Sequence, residues 1–172
     1  MYPLGHLGIG TWILPARIRD SLRWPWFAFG CLLPDLLDKP IFVVARIVRH
    51  AGPISLAALH TSRLFGHSLF FLGMLVLVTA AFPRAEWARA VTWGVATHLV
   101  LDLTPDLISG SRLQWPTWLL WPIFRWHFPF DTQRIVVAGF DFEGLVYLLG
   151  EAVGAALLAM HYARRRRAGA FR

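Results

Sequence analysis

The chain has 172 residues, of which 56% are hydrophobic and 16% are charged, and its mean hydropathy is +0.51. This length suits one domain, residues 1–172, and this composition excludes a disordered chain and argues strongly against an ordinary soluble domain. The net charge of +7 comes from arginines in short clusters between apolar runs, where the positive-inside rule places them, so we expect no nucleic-acid partner. The single cysteine, Cys31, excludes an intrachain disulfide and a thiolate metal site.

Two apolar segments occupy the first third of the chain. The first, GHLGIGTWILP, contains His6 and predicts a short helix that ends near Pro15. The second, residues 24–48, is long enough to span a membrane but is interrupted by Pro34, Asp35, Asp38, Lys39 and Pro40. Prolines and charges inside an apolar span predict a broken helix whose carboxylates face protein or water.

The two carboxylates in this segment form the first candidate site. Asp35 and Asp38 are three residues apart, so both side chains can lie on one face of a helix. We expect Asp35 to be a metal ligand and Asp38 to be either a ligand or a residue that supports one. The alternative is that Asp38 and Lys39 only neutralise each other within the helix break.

The middle of the chain contains two further apolar runs joined by the short basic turn PRAEWAR. The first run, residues 64–82, is the clearest candidate for a membrane span, and the second covers residues 90–103. So short a connection predicts an antiparallel helical hairpin. The start of the first run then lies beside the end of the second.

Four titratable side chains meet at that end of the hairpin: His60, His67, His98 and Asp102. His60 and His67 are two helical turns apart, and the H-x3-D pair is one turn apart, so each pair shares a helix face. An H-x3-D pair presents a nitrogen and an oxygen to one divalent metal ion. The alternative is that each His is an ordinary core residue and Asp102 a helix-end group, but a set this large in apolar segments favours a functional site.

The residue types in this set indicate the chemistry. Ligands of His and Asp without Cys suit zinc, or manganese, in one to three ions. Such ions activate water and polarise a phosphoryl oxygen, so we expect hydrolysis, with Asp35, Arg63 and Asp102 as catalytic residues. The planar guanidinium of Arg63 matches phosphate oxygens, and its alternative role is that of an interfacial arginine.

The last part of the chain holds a Pro- and Trp-rich stretch, a final apolar run and a basic tail. Residues 104–134 predict an interfacial or re-entrant flap that either covers a lipid-like ligand or only anchors the protein. The last span runs from about Phe142 to Tyr162 and carries Glu151, which needs a partner such as a metal ion or an arginine. The basic tail, residues 163–172, is expected in the cytoplasm.

Together these segments predict an all-α polytopic integral membrane bundle of about four spans, with additional broken or re-entrant helices. The arginine clusters place both termini in the cytoplasm and the His/Asp site towards the opposite face of a prokaryotic inner membrane. A phospholipid or lipid-linked phosphate is therefore the substrate that we expect.

Short motifs follow one another along the chain, namely Gly5-His6, LLPDLLDKP, HTSRLFGHS, HLVLD and later Trp-Pro steps. Their order and spacing, from His6 to about Pro122, resemble those of the membrane-bound metal-dependent hydrolases of the YdjM type. That family is similar to the all-helical zinc-dependent phospholipase C and single-strand nuclease superfamily, which builds a multinuclear zinc site. The resemblance implies the following ligands: His6, Asp35, His67, His98 and Asp102.

This sequence departs from the superfamily pattern at one point. The superfamily has a downstream H-x3-E pair that is not found here, so Glu143, Glu151 or His127 takes its place or the site holds fewer ions. The expected function is a phospholipase C-like phosphoesterase that uses a metal-activated water. The rival interpretation is a non-enzymatic ion carrier or scaffold, although a carrier predicts polar groups that continue to both faces, whereas these gather towards one.

Overall fold

The computed structural model describes residues 3–51, 63, 65–108, 119–123 and 142–167. These residues form α1 (Pro3–Ile13), α2 (Ala16–Ser21), α3 (Trp24–Ala51), a 3₁₀ turn (Phe65–His67), α4 (Leu69–Ala81), α5 (Glu86–Ile108) and α6 (Phe142–Arg167). The all-α character expected from the sequence is therefore present throughout the described ranges.

The expected polytopic bundle of about four spans is wrong for this part of the chain. No helix within the described ranges is both long enough and apolar enough to cross a membrane. The run at 64–82 yields only the 13 residues of α4, about 20 Å of helix, against a hydrocarbon core of about 30 Å. The longer helices α3 and α5 carry charged and polar side chains in mid-helix, among them Asp35, Asp38, Lys39, His98 and Asp102.

The helix break expected at Pro34 and Pro40 is also wrong, because α3 continues through both prolines. Proline removes one backbone N–H and disfavours the preceding turn, but surrounding contacts can hold the helix together. Pro34 is fully buried, and the 3₁₀ turn packs directly on it, since a Cβ built on Gly66 would lie 3.0 Å from its Cα. Packing of α3 on this turn and on α5 keeps the helix continuous.

The crossing of α3 and α5 depends on one glycine from each helix. A Cβ on Gly30 would clash with the carbonyl oxygen of Val91, and a Cβ on Gly94 would clash with that of Phe27. The two backbones are therefore in direct contact, as only glycine permits. An apolar core forms beside this crossing from Phe71, Val91, Val95 and Leu99.

α4 and α5 form the antiparallel hairpin predicted from the short turn between them. The hydroxyls of Thr79 on α4 and Thr92 on α5 lie 2.9 Å apart, and the Ser68 side chain caps α4 by accepting a 3.1 Å hydrogen bond from the Phe71 N–H. His67 precedes this cap and therefore lies beside the end of α5. The predicted juxtaposition is confirmed for His67, whereas His60 lies outside the described residues.

Only part of the Pro- and Trp-rich stretch at 104–134 lies within the described residues. Residues 104–108 end α5, and the turn at 119–123 packs on the start of α4, where the Leu69 N–H donates to the Leu119 carbonyl over 2.8 Å. The Trp121 ring meets those of Phe65 and Phe70, with centroids 5.7 and 5.9 Å apart. This piece contacts the elements next to His67, and the flap as a whole stays a prediction.

Candidate metal centre

Four elements bring titratable side chains to one place. α1 supplies His6, α3 supplies Asp35, the 3₁₀ turn supplies His67, and α5 supplies His98 and Asp102. Two overlapping groups have ligand atoms within 4.8 Å of one another: His6, Asp35 and His98 in one, and His67, His98 and Asp102 in the other. The structure thus gathers five of the eight metal ligands predicted from the sequence.

His98 is fully buried, and its tautomer follows from its contacts. Its Nδ1 lies 2.7 Å from the Cys31 carbonyl oxygen, which can only accept, so Nδ1 carries the proton and Nε2 carries a lone pair. Burial, together with the neighbouring His6, lowers the pKa of His98 to about 3, although the Asp102 carboxylate opposes this effect. His98 is therefore neutral near pH 7, the form that binds metal.

His67 is oriented by Asp38, whose side chain is completely buried. One Asp38 oxygen accepts the Gly66 N–H at 2.9 Å, and the other lies 2.7 Å from His67 Nδ1 and 3.2 Å from the His67 backbone N–H. This contact turns His67 Nε2 towards the cluster, 3.2 Å from His98 Nε2. A carboxylate on the far nitrogen of a metal-binding imidazole fixes the ring and raises its basicity, so the structure places Asp38 where it supports a ligand.

Asp102 connects the remaining groups. Its carboxylate lies 3.3 Å from His6 Nε2 through one oxygen, and 3.1 Å from Arg63 Nε and 3.5 Å from His67 Nε2 through the other. Burial by itself raises the pKa of this carboxyl, but contact with His6 and the charge of Arg63 lower it well below its usual range. Asp102 is therefore an anion at neutral pH.

His6 has no orienting hydrogen bond within the described part of the chain. Both of its ring nitrogens are buried without a hydrogen bond there, Nε2 has only the ion-pair contact with Asp102 at 3.3 Å, and the ring stacks on His98 with centroids 4.0 Å apart. A buried polar atom without a partner is costly, so it points to a ligand.

Asp35 contacts both Lys39 and the His/Asp cluster. One of its oxygens accepts from Lys39 Nζ at 2.6 Å, and the other lies 3.6 Å from His67 Nε2. Burial raises the pKa of Asp35, but contact with His67 and the hydrogen bond from Lys39 lower it more, so the carboxylate is ionised. Lys39 therefore pairs with Asp35, and the alternative in which it neutralises Asp38 is wrong.

The remaining residues considered as metal ligands lie either away from the cluster or outside the described residues. Glu151 accepts hydrogen bonds from the backbone N–H groups of Leu4 at 3.2 Å and Gly5 at 2.7 Å, at the start of α1. His60, His127 and the side chain of Glu143 lie outside the described residues. Sequence reasoning missed the role of the Cys31 carbonyl, although Cys31, Asp35 and Asp38 share one face of α3 at i, i+4 and i+7.

Three imidazoles and two carboxylates in two overlapping groups form a donor set for zinc or another borderline divalent ion. Two nitrogens bound to one tetrahedral zinc ion at about 2.1 Å lie roughly 3.4 Å apart. The 3.2 Å between the Nε2 atoms of His67 and His98 is close to that value. The residues present therefore fit a divalent metal.

Comparison with known proteins gives one match. The family model described as YdjM inner membrane protein matches residues 1–171. No curated protein and no solved structure matches the chain. The family description agrees with the membrane location expected from composition, while the predicted sidedness of the termini stays a prediction. Because the match covers nearly its whole length, the chain belongs to the YdjM family of inner membrane proteins.

Proposed function

We propose that this protein is a divalent-metal-dependent hydrolase that acts on a phosphate ester of a lipid or lipid-linked molecule. One observation carries the proposal. The Nε2 atoms of His67 and His98 face each other at 3.2 Å, while the Nδ1 atoms of both rings are engaged by Asp38 and Cys31. Two lone pairs at this distance repel unless a proton or a metal cation lies between them.

The same residues suit a metal better than a proton. A proton on His67 would satisfy the His67–His98 contact, and the Asp35 and Asp38 carboxylates do raise the pKa of His67 against the effect of burial. It would leave His6 without a hydrogen bond in the described part of the chain, since Nδ1 is buried and Nε2 makes only the 3.3 Å ion-pair contact with Asp102. Divalent metal bound by the two overlapping groups, His6, Asp35 and His98 in one and His67, His98 and Asp102 in the other, would give these side chains a common partner.

The chain's own groups would then serve hydrolysis in distinct ways. A bound divalent ion lowers the pKa of a water ligand and polarises a phosphoryl oxygen. Asp35 is ionised and half-buried, and because contact with His67 and Lys39 lowers its pKa it is a weak base, so we assign it the role of a metal ligand. Arg63, whose side chain is 18% exposed and tied to Asp102, is placed to attract the phosphate of a substrate.

The class of substrate follows from the family and from the surface. The family is one of inner membrane proteins, so lipid phosphates are the phosphate esters available at highest local concentration. Leu69 and Phe70, which directly follow His67 and Ser68, are exposed apolar residues at the start of α4. An apolar surface beside the cluster suits a substrate with an acyl or isoprenoid chain.

Metal content tests the proposal first. We expect the detergent-purified protein to hold stoichiometric zinc or manganese by elemental analysis, and His98→Ala and Asp102→Asn to lose it. Thr97→Val, a buried neighbour on α5, and Glu86→Gln, an exposed carboxylate on the same helix, are the matched controls and should retain the metal. The loaded protein should then hydrolyse a member of a panel of phosphorylated lipids.

Two results would contradict the proposal in different ways. If neither the purified nor the reconstituted protein holds metal, the metal site is wrong. If the protein holds metal through His98 and Asp102 but releases no phosphate or phosphoalcohol from any lipid in the panel, the cluster is a transport or structural site. Circular dichroism of each variant separates loss of ligand from loss of fold.

A further inference from the structure

A second cluster of polar and aromatic side chains lies where the end of α1, the helix α2, the start of α3 and the end of α6 meet. We call it the Trp24 cluster, and it consists of Trp12, Arg19, Trp24, His161, Arg164 and Arg165. Its rings are in contact, since Trp24 and His161 stack with centroids 5.8 Å apart. Trp12 is six residues from His6 on α1, which is about 9 Å along the helix axis. The cluster is therefore separate from the candidate metal centre.

Two buried nitrogens in this cluster have no hydrogen-bond partner among the described residues. They are Nε1 of Trp24 and Nε2 of His161, and the His161 residue is only 8% exposed. The other indole of the cluster is satisfied, because Trp12 Nε1 donates to the Leu157 carbonyl at 2.9 Å. An indole N–H can only donate, so the partner that Trp24 lacks must be an acceptor such as an oxygen atom.

The charges around these nitrogens show what kind of acceptor fits. The guanidinium groups of Arg19 and Arg164 both lie over the Trp12 ring, 4.8 and 4.5 Å from its centroid. Besides burial, the positive charges of Arg165 and Arg19 lower the pKa of His161. The carboxylate paired with this group is that of Asp20, which is 69% exposed and 3.2 Å from Arg19 Nε. In the described part of the chain, the three arginines of the cluster therefore face one exposed carboxylate, and this excess of positive charge favours an anion.

We propose that the Trp24 cluster binds a phosphate group, with the Trp24 indole N–H donating to a phosphate oxygen and Arg164 and Arg165 supplying the positive charge. Guanidinium groups match phosphate oxygens in geometry, and a charged acceptor makes the strongest hydrogen bond to an N–H. The phosphate can come from an anionic phospholipid headgroup or from free phosphate. The inference is independent of the hydrolase proposal, because it uses none of the metal-binding residues.

The indole N–H signals of the ¹⁵N-labelled, detergent-solubilised protein test this inference directly. The Trp24 signal is identified by its loss in Trp24→Phe, which keeps an aromatic ring but removes the donor. We expect short-chain phosphatidylglycerol to shift the Trp24 and Trp12 signals, and short-chain diacylglycerol, which lacks phosphate, to shift neither. Inorganic phosphate is titrated separately, so that the two sources are distinguished.

The variants measure the contribution of each group. Followed at the Trp12 signal, Trp24→Phe should weaken binding by about tenfold, the effect of one hydrogen bond to a charged group. Arg165→Gln, at a half-buried position, should weaken binding similarly and keep the Trp24 signal. Trp26→Phe, at an exposed tryptophan two residues along α3, should leave the affinity unchanged.

Each possible result of these titrations supports or contradicts phosphate binding at the Trp24 cluster. A shift with phosphatidylglycerol alone identifies the lipid headgroup as the source, and an equal shift with inorganic phosphate identifies free phosphate. The proposal is overturned if neither moves the Trp24 signal, if diacylglycerol moves it equally, or if Trp24→Phe and Trp26→Phe have the same effect.

Discussion

The two sides of the metal centre hold their histidines in different ways. On the side built by α3, the 3₁₀ turn and α5, each imidazole has its Nδ1 on a fixed acceptor 2.7 Å away, the Cys31 carbonyl for His98 and the Asp38 carboxylate for His67. On the side built by α1 and α6, His6 has no hydrogen bond among the described residues, and its ring contacts Asp102 at 3.3 Å and stacks on His98.

This difference has a physical consequence. A hydrogen bond to the far nitrogen sets the rotation of the ring and its tautomer, so His67 and His98 are oriented before any ion binds. His6 is positioned by the backbone of α1, which contacts α6 through Gly8 and Gly154. Substitutions around His67 and His98 should therefore change the orientation of a single ligand. Substitutions between α1 and α6 should instead shift the whole helix that carries His6.

The largest effect on metal affinity among the supporting residues is expected from Asp38→Asn. The substitution keeps the size of the side chain but removes the charge that faces His67 Nδ1 and the N–H groups of Gly66 and His67. Loss of such a partner costs about 10- to 100-fold in metal affinity. Chelator competition against the detergent-purified protein measures this directly.

Asp20→Asn is the matched control, because it makes the same change at an exposed aspartate on α2, which supplies none of the ligands. It should leave metal affinity unchanged. If Asp38→Asn instead abolishes binding as completely as His98→Ala does, Asp38 is a ligand, as the sequence alone allowed. If it has no effect, the His67–Asp38 contact does not support the site.

A smaller effect is expected from Gly154→Ala on the other side of the centre. The new Cβ would clash with the Leu4 carbonyl oxygen and lie 2.6 Å from the Cα of Gly5, the residue before His6. Because the obstacle is backbone, α1 must move, so we expect a several-fold loss of metal affinity and about 1 to 3 kcal/mol of stability. Chelator competition and urea unfolding measure the two effects.

Gly73→Ala on α4 is the control for this substitution. Nothing lies within 4 Å of the Cβ it would add, so it should stabilise the helix by about 0.5 to 1 kcal/mol and leave metal binding unchanged. Wild-type metal affinity in Gly154→Ala would show that the placement of α1 does not control the site, and that His6 adapts by rotating its side chain.

The sequence predicted which residues form the metal centre better than it predicted what each of them does there. His67, His98 and Asp102 could be brought together from the hairpin alone, because a short turn fixes which helix ends meet. Asp35 and Asp38 share a face of α3, and which one orients His67 depends on the 3₁₀ turn, whose Gly66 packs on Pro34. Sequence spacing contains no information on that contact.

The membrane spans were mispredicted for a related reason. A hydropathy average over residues 64–82 includes the 3₁₀ turn and the Ser68 cap, which shorten the helix to Leu69–Ala81. Serine before an apolar run is a typical helix start, so this boundary could have been predicted from the sequence. The position of Glu151 could not, because its partners at Leu4 and Gly5 are almost the whole chain away.

The smallest effect is expected from Glu151→Gln. The Glu151 carboxylate accepts hydrogen bonds from two N–H groups at the start of α1, where the helix dipole favours a negative charge. An amide oxygen still accepts a hydrogen bond but lacks the charge, so we expect a loss of about 0.5 to 1 kcal/mol of stability in urea unfolding.

Metal content in the same variant distinguishes the two roles considered for this residue. Because both Glu151 oxygens contact the backbone of α1 and neither belongs to the groups of convergent ligand atoms, elemental analysis should find full occupancy in Glu151→Gln. Loss of metal with unchanged stability would make Glu151 a ligand after all. Loss of stability with full occupancy would show that α6 serves the centre indirectly, by holding the helix that carries His6.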